Sequence, residues 1–327
     1  MGYLKNIIGE GILAVDGDVH KKQRKLMSPS FSNHTFTRVS NTLKYLWKDE
    51  IKNGQNVNND IGKKSAIIDV GCYMGRVSLD VIGIVGFDSE INSLIESSRL
   101  ADSLSTLFDN KYGVAFNLLS ISLPILRLLP LKINQDIENA SIEIEKLQGN
   151  CYGQEIDKNE QMSFEEIRNQ IMTFFIAGHE STGVMMIWIL YYLSKDQEIQ
   201  DKLREEIVKE FPDKDSELNF DKINSMEYLN AVCKETLRIV PPATLVSCIA
   251  NVEKVKGFSH YKHLPFSAGP RSCIGNRFAL NEAKVVLCIL LRNFQFHEVE
   301  GFKVTTKANI TLRPDPTVKL WVNEIDY

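Results

Sequence analysis

The stretch Phe266-Ser267-Ala268-Gly269-Pro270-Arg271-Ser272-Cys273-Ile274-Gly275 decides the reading of this chain: a loop with two glycines and a proline runs directly into Asn276-Arg277-Phe278-Ala279-Leu280. After Gly275 the apolar residues Phe278, Leu280, Val285, Val286, Leu287 and Ile289 recur at helical spacing, which puts Cys273 where a tight loop becomes a helix. Unpaired N–H groups and the positive end of the helix dipole at such a start favour a thiolate over a thiol. Glycines on either side let backbone come close to whatever the sulfur holds. Cys273 is therefore a candidate metal ligand or nucleophile, weighed against the general rule that a lone cysteine is a small buried hydrophobe.

With 327 residues, 43% hydrophobic and 24% charged, the chain can bury a substantial core as one large domain or two smaller ones. A net charge of −4 gives no reason to expect a nucleic-acid partner. The six cysteines, Cys72, Cys151, Cys233, Cys248, Cys273 and Cys288, are spread without any Cys-x-x-Cys pair. That pattern argues against zinc and a disulfide framework, and for a reducing compartment. The start, Met1 to Glu10, is too short and interrupted for a signal peptide or a membrane span, and Asn6 does not fit a myristoylation pattern. With no anchor visible, the chain as written is expected to be cytoplasmic.

Val15 to Leu26 carries acids before bases, as suits a helix start, and His20 and Arg24 share one helix face. There an imidazole and a guanidinium meet either an anion or plain solvent. Residues 36 to 150 are expected to be mainly helical, with Val77 to Phe87 a buried element. The apolar run Leu118 to Leu131 is broken by Pro124 and Pro130 and reads equally as core or as an exposed apolar patch. Residues 149 to 161 form a polar linker. Ser163-Phe164-Glu165-Glu166 then gives a capping box ahead of an apolar helix from Ile167 to Leu193.

That helix is long enough to span a bilayer, yet Gly178, His179, Glu180, Ser181 and Thr182 fall near its midpoint, so a core helix is expected. A polar interruption holding an acid, two hydroxyls and two glycines favours a functional site over a satisfied core polar cluster. Asp196 to Ile207 reads as a charged amphipathic helix. Ser225 to Val240 reads as another, stopped by Pro241-Pro242, and in it Glu235 and Arg238 can pair on one face. Spacing alone makes them a surface ion pair. Near the end, 294–296, 302–304, 310–312 and 318–322 have strand character, with Pro314 and Pro316 marking a turn.

The pattern Phe-x-x-Gly-x-Arg-x-Cys-x-Gly at 266–275 resembles the heme-ligand loop of the heme-thiolate monooxygenases, the cytochrome P-450 superfamily, of eukaryotic microsomal type. The resemblance implies that Cys273 is the axial iron ligand of heme b, that Phe266 shields the sulfur, and that Gly269 and Gly275 shape the loop. By the same resemblance Arg271, His20 and Arg24 hold the heme propionates, with His20 standing where Trp is commoner. Ala177-Gly178-His179-Glu180-Ser181-Thr182 resembles the superfamily's oxygen-activation motif. Gly178 would let the helix widen, and Glu180 with the hydroxyl after it would relay protons during oxygen activation. Ser181 occupies the usual Thr position and Thr182 follows it. Glu235 and Arg238, within Lys234-Glu235-Thr236-Leu237-Arg238, resemble the structural pair that buttresses the heme-side core.

The implied fold is mainly α with small β regions, a single domain over residues 1–327 with heme between the Glu180 helix and the Cys273 loop. The implied reaction inserts one oxygen atom from O2 into a small apolar substrate, using electrons from a NADPH-cytochrome reductase-type donor. Family members of this type sit at the endoplasmic reticulum membrane, and the run 118–131 implies peripheral membrane contact. The chain departs from the pattern twice. It starts well inside the family's pattern, and only 35 positions separate Arg238 from Cys273, where the superfamily interposes several dozen more. The join falls around 251–257 and omits an Arg that completes the Glu-Arg network, so Glu235 and Arg238 are expected to be incompletely paired buried charges, at a cost of about 3–5 kcal/mol. The alternative to an active enzyme is accordingly a truncated, inactive fragment that binds heme poorly or not at all.

Overall fold

Apolar residues at three- and four-residue spacing build most of the observed elements, in two compact units: Met1–Thr35 with Gly75–Glu180, and Phe36–Met74 with Ser181–Tyr327. The computed structural model describes residues 9–27, 35–53, 57–58, 63–87, 89–96, 98, 102, 142, 163–214, 216–243, 264–308 and 311–325. The apolar run 118–131, the linker 149–161 and the join at 251–257 lie outside them.

In the first unit, α1 (Gly17–Met27) follows a segment that packs against α4 (Phe164–Phe174). The Ile12 amide donates to Gln170 Oε1 at 3.0 Å, and Gln23 Nε2 donates to the Glu10 carbonyl at 2.9 Å. Glycine is required at Gly11, where a Cβ would stand 2.7 Å from the Asn169 carbonyl oxygen, which is backbone and cannot swing aside. The capping box forms as the sequence indicates: Ser163 Oγ accepts from the Glu166 amide, and the Glu166 carboxylate accepts from the Ser163 amide. Helix α3 (Val70–Phe87) contributes Asp80, whose buried carboxylate accepts from the Ser93 amide at 2.7 Å and the Leu94 amide at 3.1 Å. Burial pushes the Asp80 carboxyl above its usual value, and the hydrogen bonds from Ser93 and Leu94 oppose that shift.

The second unit is built on a four-stranded antiparallel sheet in the order β1-β2-β6-β3, from β1 (Val57–Asn58), β2 (Lys63–Asp69), β3 (Phe294–Glu298) and β6 (Lys319–Glu324). A separate hairpin pairs β4 (Thr305–Ala308) with β5 (Leu312–Asp315). Trp47 of α2 (Thr35–Asn53) is fully buried, with Tyr73, Phe294 and Phe296 edge-on around it at 5.8, 5.7 and 6.1 Å. Helix α9 (Asn276–Asn293) is buried continuously from Glu282 to Asn293. The fully buried Gln200 of α6 (Gln197–Glu210) ties β3 to that core: its Nε2 donates to the Leu193 and Phe296 carbonyls, and its Oε1 accepts from the Phe296 amide at 2.9 Å. Between α6 and α9 come α7 (Phe220–Ser225) and α8 (Glu227–Ile239).

The region from residue 36 is mainly helical over its described part, and β2 adds a strand that pairs with β6 near the other end of the chain. Two expectations need correction. The 302–304 stretch is not a strand: β4 starts at Thr305, and Pro314 lies inside β5 opposite Thr306 rather than at a turn. The Glu235–Arg238 pair is not buried, as described below. Among the described residues one helix, Glu165–Lys195, is long and apolar enough to cross a membrane, and 82% of its apolar window is buried inside the protein.

Candidate functional site

In the second unit the sequence Leu264-Pro265-Phe266-Ser267 enters the loop with a reversal. The Ser267 amide donates to the Leu264 carbonyl at 3.0 Å, with Ser267 at φ 59°, a left-handed conformation that non-glycine residues seldom adopt. Gly269 follows at φ 73°, where a side chain would be strained. Gly269–Arg271 then make one 3₁₀ turn, and the Cys273 amide donates to the Phe266 carbonyl at 2.8 Å, closing the loop on itself. The Cys273 side chain is exposed, two residues before Gly275, which caps α9 without a side-chain hydrogen bond. Arg271 is exposed on the same loop.

Gly275 is informative for a reason beyond the turn. Its φ of −91° suits any residue, and a Cβ there would meet no protein atom within 4 Å. Among the described residues neither backbone conformation nor packing calls for glycine at 275, so the space beside the loop is open. An exposed thiol, a self-closed loop and an uncapped helix start together fit an iron porphyrin held through sulfur.

In the first unit the polar interruption takes a defined form. The α-helical ladder of α4 gives way to a single π turn, Phe175–His179, before α5 (Glu180–Lys195) resumes. A π turn adds a residue to the repeat and marks functional sites disproportionately. Gly178 lies in it, and a Cβ there would press on Ile82 Cδ1 of α3 at 3.3 Å. Ala177 and Gly178 are half-buried, while Glu180 is only 3% exposed. In the second unit Ser181 is half-buried and Thr182 is buried. His20 of α1 is also buried rather than on a solvated face, with Arg24 half-buried one turn later.

Glu235 and Arg238 do pair, with Arg238 Nη2 2.6 Å and Nε 2.8 Å from the two carboxylate oxygens. Their side chains are 55% and 61% exposed, so the expected penalty for a buried charge does not arise. Two contributors escaped sequence reasoning. Ser267 carries no motif signal, since its conformation is visible only once the loop closes. Glu206 of α6 accepts from the Tyr228 and Leu229 amides at 2.9 and 2.8 Å and so caps α8 from another helix. Of the other described thiols Cys72 is exposed too, while Cys233 and Cys288 are buried, and burial pushes both up to about 12.

The family model Cytochrome P-450 matches residues 3–251 and 250–321, two stretches that meet where the sequence indicated a join. Cytokinin hydroxylase of Arabidopsis thaliana is 25% identical over 387 positions, covering 98% of this chain and 73% of its own length. Cytochrome P-450 monooxygenase claQ of Ampulloclitocybe clavipes is 28% identical, covering 90% of this chain and 71% of its own. Cytochrome P-450 4F4 of Rattus norvegicus is 26% identical, covering 90% and 70%. The first alignment runs over more positions than the 327 residues of this chain, so that relative has segments with no counterpart here. The family's cofactor is heme whose iron is bound by a cysteine thiolate, its fold is mainly helical with small antiparallel sheets, and its members are monooxygenases. By its sequence match, its helices and its loop, this chain belongs to the cytochrome P-450 family.

Proposed function

We propose that this chain, as a single domain over 1–327, is a monooxygenase in which Cys273 is the thiolate ligand of heme iron. The observation that carries the reading is the exposed Cys273 on a self-closed loop two residues before Gly275, beside which no described residue stands within 4 Å of a Cβ. Heme held by a thiolate supplies the activation of dioxygen and the insertion of one oxygen atom into an apolar substrate. The open start of α9 stabilises the sulfur as an anion, and Phe266, whose carbonyl holds the Cys273 amide, shields it. Arg271, Arg24 and His20 take the propionates, the guanidinium groups as charged forks and the imidazole as a single donor.

Glu180 and Ser181 hold and pass protons toward the oxygen-binding side, with Thr182 behind them, while Ala177 and Gly178 leave room along the π turn. Glu180 is buried, which keeps bulk water from competing with it for the proton it passes. Glu235 and Arg238 fasten the exposed face of α8. Electrons come from a NADPH-cytochrome reductase-type donor, the substrate is small and apolar, and the working location is the endoplasmic reticulum membrane surface.

One observation favours a second reading. The alignment that outruns the chain, with its break near residue 250, is what an inactive form with poor heme uptake would show. The reduced, carbon-monoxide-bound absorption spectrum separates the two. A Soret band of thiolate-ligated heme that is lost in Cys273→Ala supports the enzyme. A folded chain that takes up no heme supports the inactive form, and a band unchanged in Cys273→Ala overturns the ligand assignment.

A further inference from the structure

Two buried glutamines of the first unit, neither marked by any motif, grip one short segment from different helices. Gln170 of α4 is 1% exposed, and its Oε1 accepts from the Ile12 amide at 3.0 Å. Gln23 of α1 is 2% exposed, and its Nε2 donates to the Glu10 carbonyl at 2.9 Å. Residues 10–12 therefore bridge α1 to α4. The orientation of each amide is fixed, because turning either one over would set donor against donor or oxygen against oxygen. The remaining polar atoms, Gln170 Nε2 and Gln23 Oε1, are buried with no hydrogen-bond partner among the described residues. A half-satisfied buried amide costs more than an apolar side chain of the same size, so packing alone explains neither residue.

The segment also lies close on α4. A Cβ at Gly11 would stand 1.9 Å from Thr173 Oγ1 as well as 2.7 Å from the Asn169 carbonyl oxygen, and one at Gly9 would stand 2.2 Å from Asn169 Oδ1. Thr173 Oγ1 is itself held, donating to that same Asn169 carbonyl at 2.7 Å. From there the path to α1 is short: the Ala14 amide donates to the Gly11 carbonyl at 2.8 Å, and Gly17, at φ 62°, turns the chain into the helix. Gln23 shares the buried side of α1 with His20 and is followed directly by Arg24. Hydrogen bonds at both ends of so short a segment leave α1 little freedom to slide along α4.

We propose that Gln23 and Gln170 are positioning residues for the heme propionates: through residues 10–12 they hold α1 at the place on α4 from which His20 and Arg24 grip a carboxylate. This role rests on the reading of His20 and Arg24 as propionate holders and adds the pair that sets where they stand. The test is equilibrium titration of the 327-residue chain with heme and, separately, with heme dimethyl ester, whose two carboxylates are masked. The ratio of the two affinities reports the propionate grip and is blind to losses that affect both porphyrins alike. Gln170→Met and Gln23→Met should each cut the preference for heme roughly tenfold, the worth of one charge-assisted hydrogen bond. Should Gln170→Met not fold, Gly11→Ala pushes the same segment off α4 and should cut the ratio likewise. Gln200→Met is the control: it removes a buried glutamine of the same kind from the second unit, so it should lower stability and leave the ratio unchanged. An unchanged ratio in the folded glutamine variants, beside one that collapses in Arg24→Met, overturns the positioning role and leaves the propionate reading standing. A wild-type chain that binds both porphyrins equally, or neither, overturns that reading and the positioning role with it. An equal fall in Gln200→Met also overturns the role, since the ratio then follows general destabilisation.

Discussion

Helices α8 and α9 lie in the same unit and begin in opposite ways. At α8 the Met226 side chain offers no cap, and the carboxylate of Glu206 reaches across from α6 to take the Tyr228 and Leu229 amides. Asp196 does the same for α6 through the Ile199 amide, and Asn219 caps α7. At α9 the cap residue is Gly275, which has no side chain to offer an amide, and the first turn holds no acid. Capping spends the positive end of a helix on the protein's own oxygen. A glycine cap and an acid-free first turn leave that field to the sulfur of Cys273, and the contrast separates helix starts that only hold the fold from the one proposed to do chemistry.

Cysteine reactivity gives the largest expected contrast. Cys288 lies on α9 too, yet it is buried and its thiol is pushed up to about 12, as is that of Cys233. At pH 8 a thiol with such a value is ionised to roughly one part in ten thousand, while an ordinary one is ionised to tens of per cent. Iodoacetamide should therefore modify Cys273 of the heme-free chain at least about a thousandfold faster than Cys288, as read by peptide mass mapping. Comparable rates would erase the distinction between the two ends of the helix.

The capped side is tested by Glu206→Ala. It leaves two amides at the start of α8 without their acceptor and removes a favourable charge, so urea unfolding should show a loss of about 2 kcal/mol. Glu206→Gln keeps an acceptor and should lose less. A loss near zero in the alanine variant would mean that water caps α8 just as well, and that capping does not set α9 apart.

The uncapped side is sharpened by Gly275→Asp. The site has room, since a Cβ meets nothing within 4 Å, so the change acts through charge rather than crowding. A carboxylate there should disfavour the Cys273 thiolate and slow its alkylation severalfold at fixed pH. Gly275→Asn, with no charge, should slow it much less. Equal slowing in the two variants would remove the electrostatic reading of the uncapped start.

These contrasts were unevenly legible in the sequence, for reasons of distance along the chain. The start of α9 and the capping box at Ser163 and Glu166 are local patterns, complete within a few residues, and both form as written. Gly178 signals a weakened helix, but the extent of the π turn from Phe175 to His179 depends on the backbone as a whole. Glu206 caps residues 22 and 23 positions away, and β2 pairs with a strand some 250 positions later, so neither leaves a local trace. Spacing alone favours a solvated face for His20, and its burial is set by neighbours that a helical wheel does not contain.

The Glu235–Arg238 pair is the case where spacing gave the contact but not its surroundings. Positions three apart on α8 meet whatever covers them, and here both side chains are more than half exposed. An exposed pair between neighbouring turns contributes about 0.3–0.5 kcal/mol, whereas breaking a buried one costs about 3–5 kcal/mol. Glu235→Ala should thus lower stability by no more than about 0.5 kcal/mol in urea unfolding, and most of that should vanish in high salt, where solvent-exposed charges are screened. A loss of several kcal/mol that salt leaves untouched would put the pair under cover in solution. In that event the cap at the start of α8 and the ion pair near its end would both be serving a buried element, and α8 would no longer be a plain structural foil to α9.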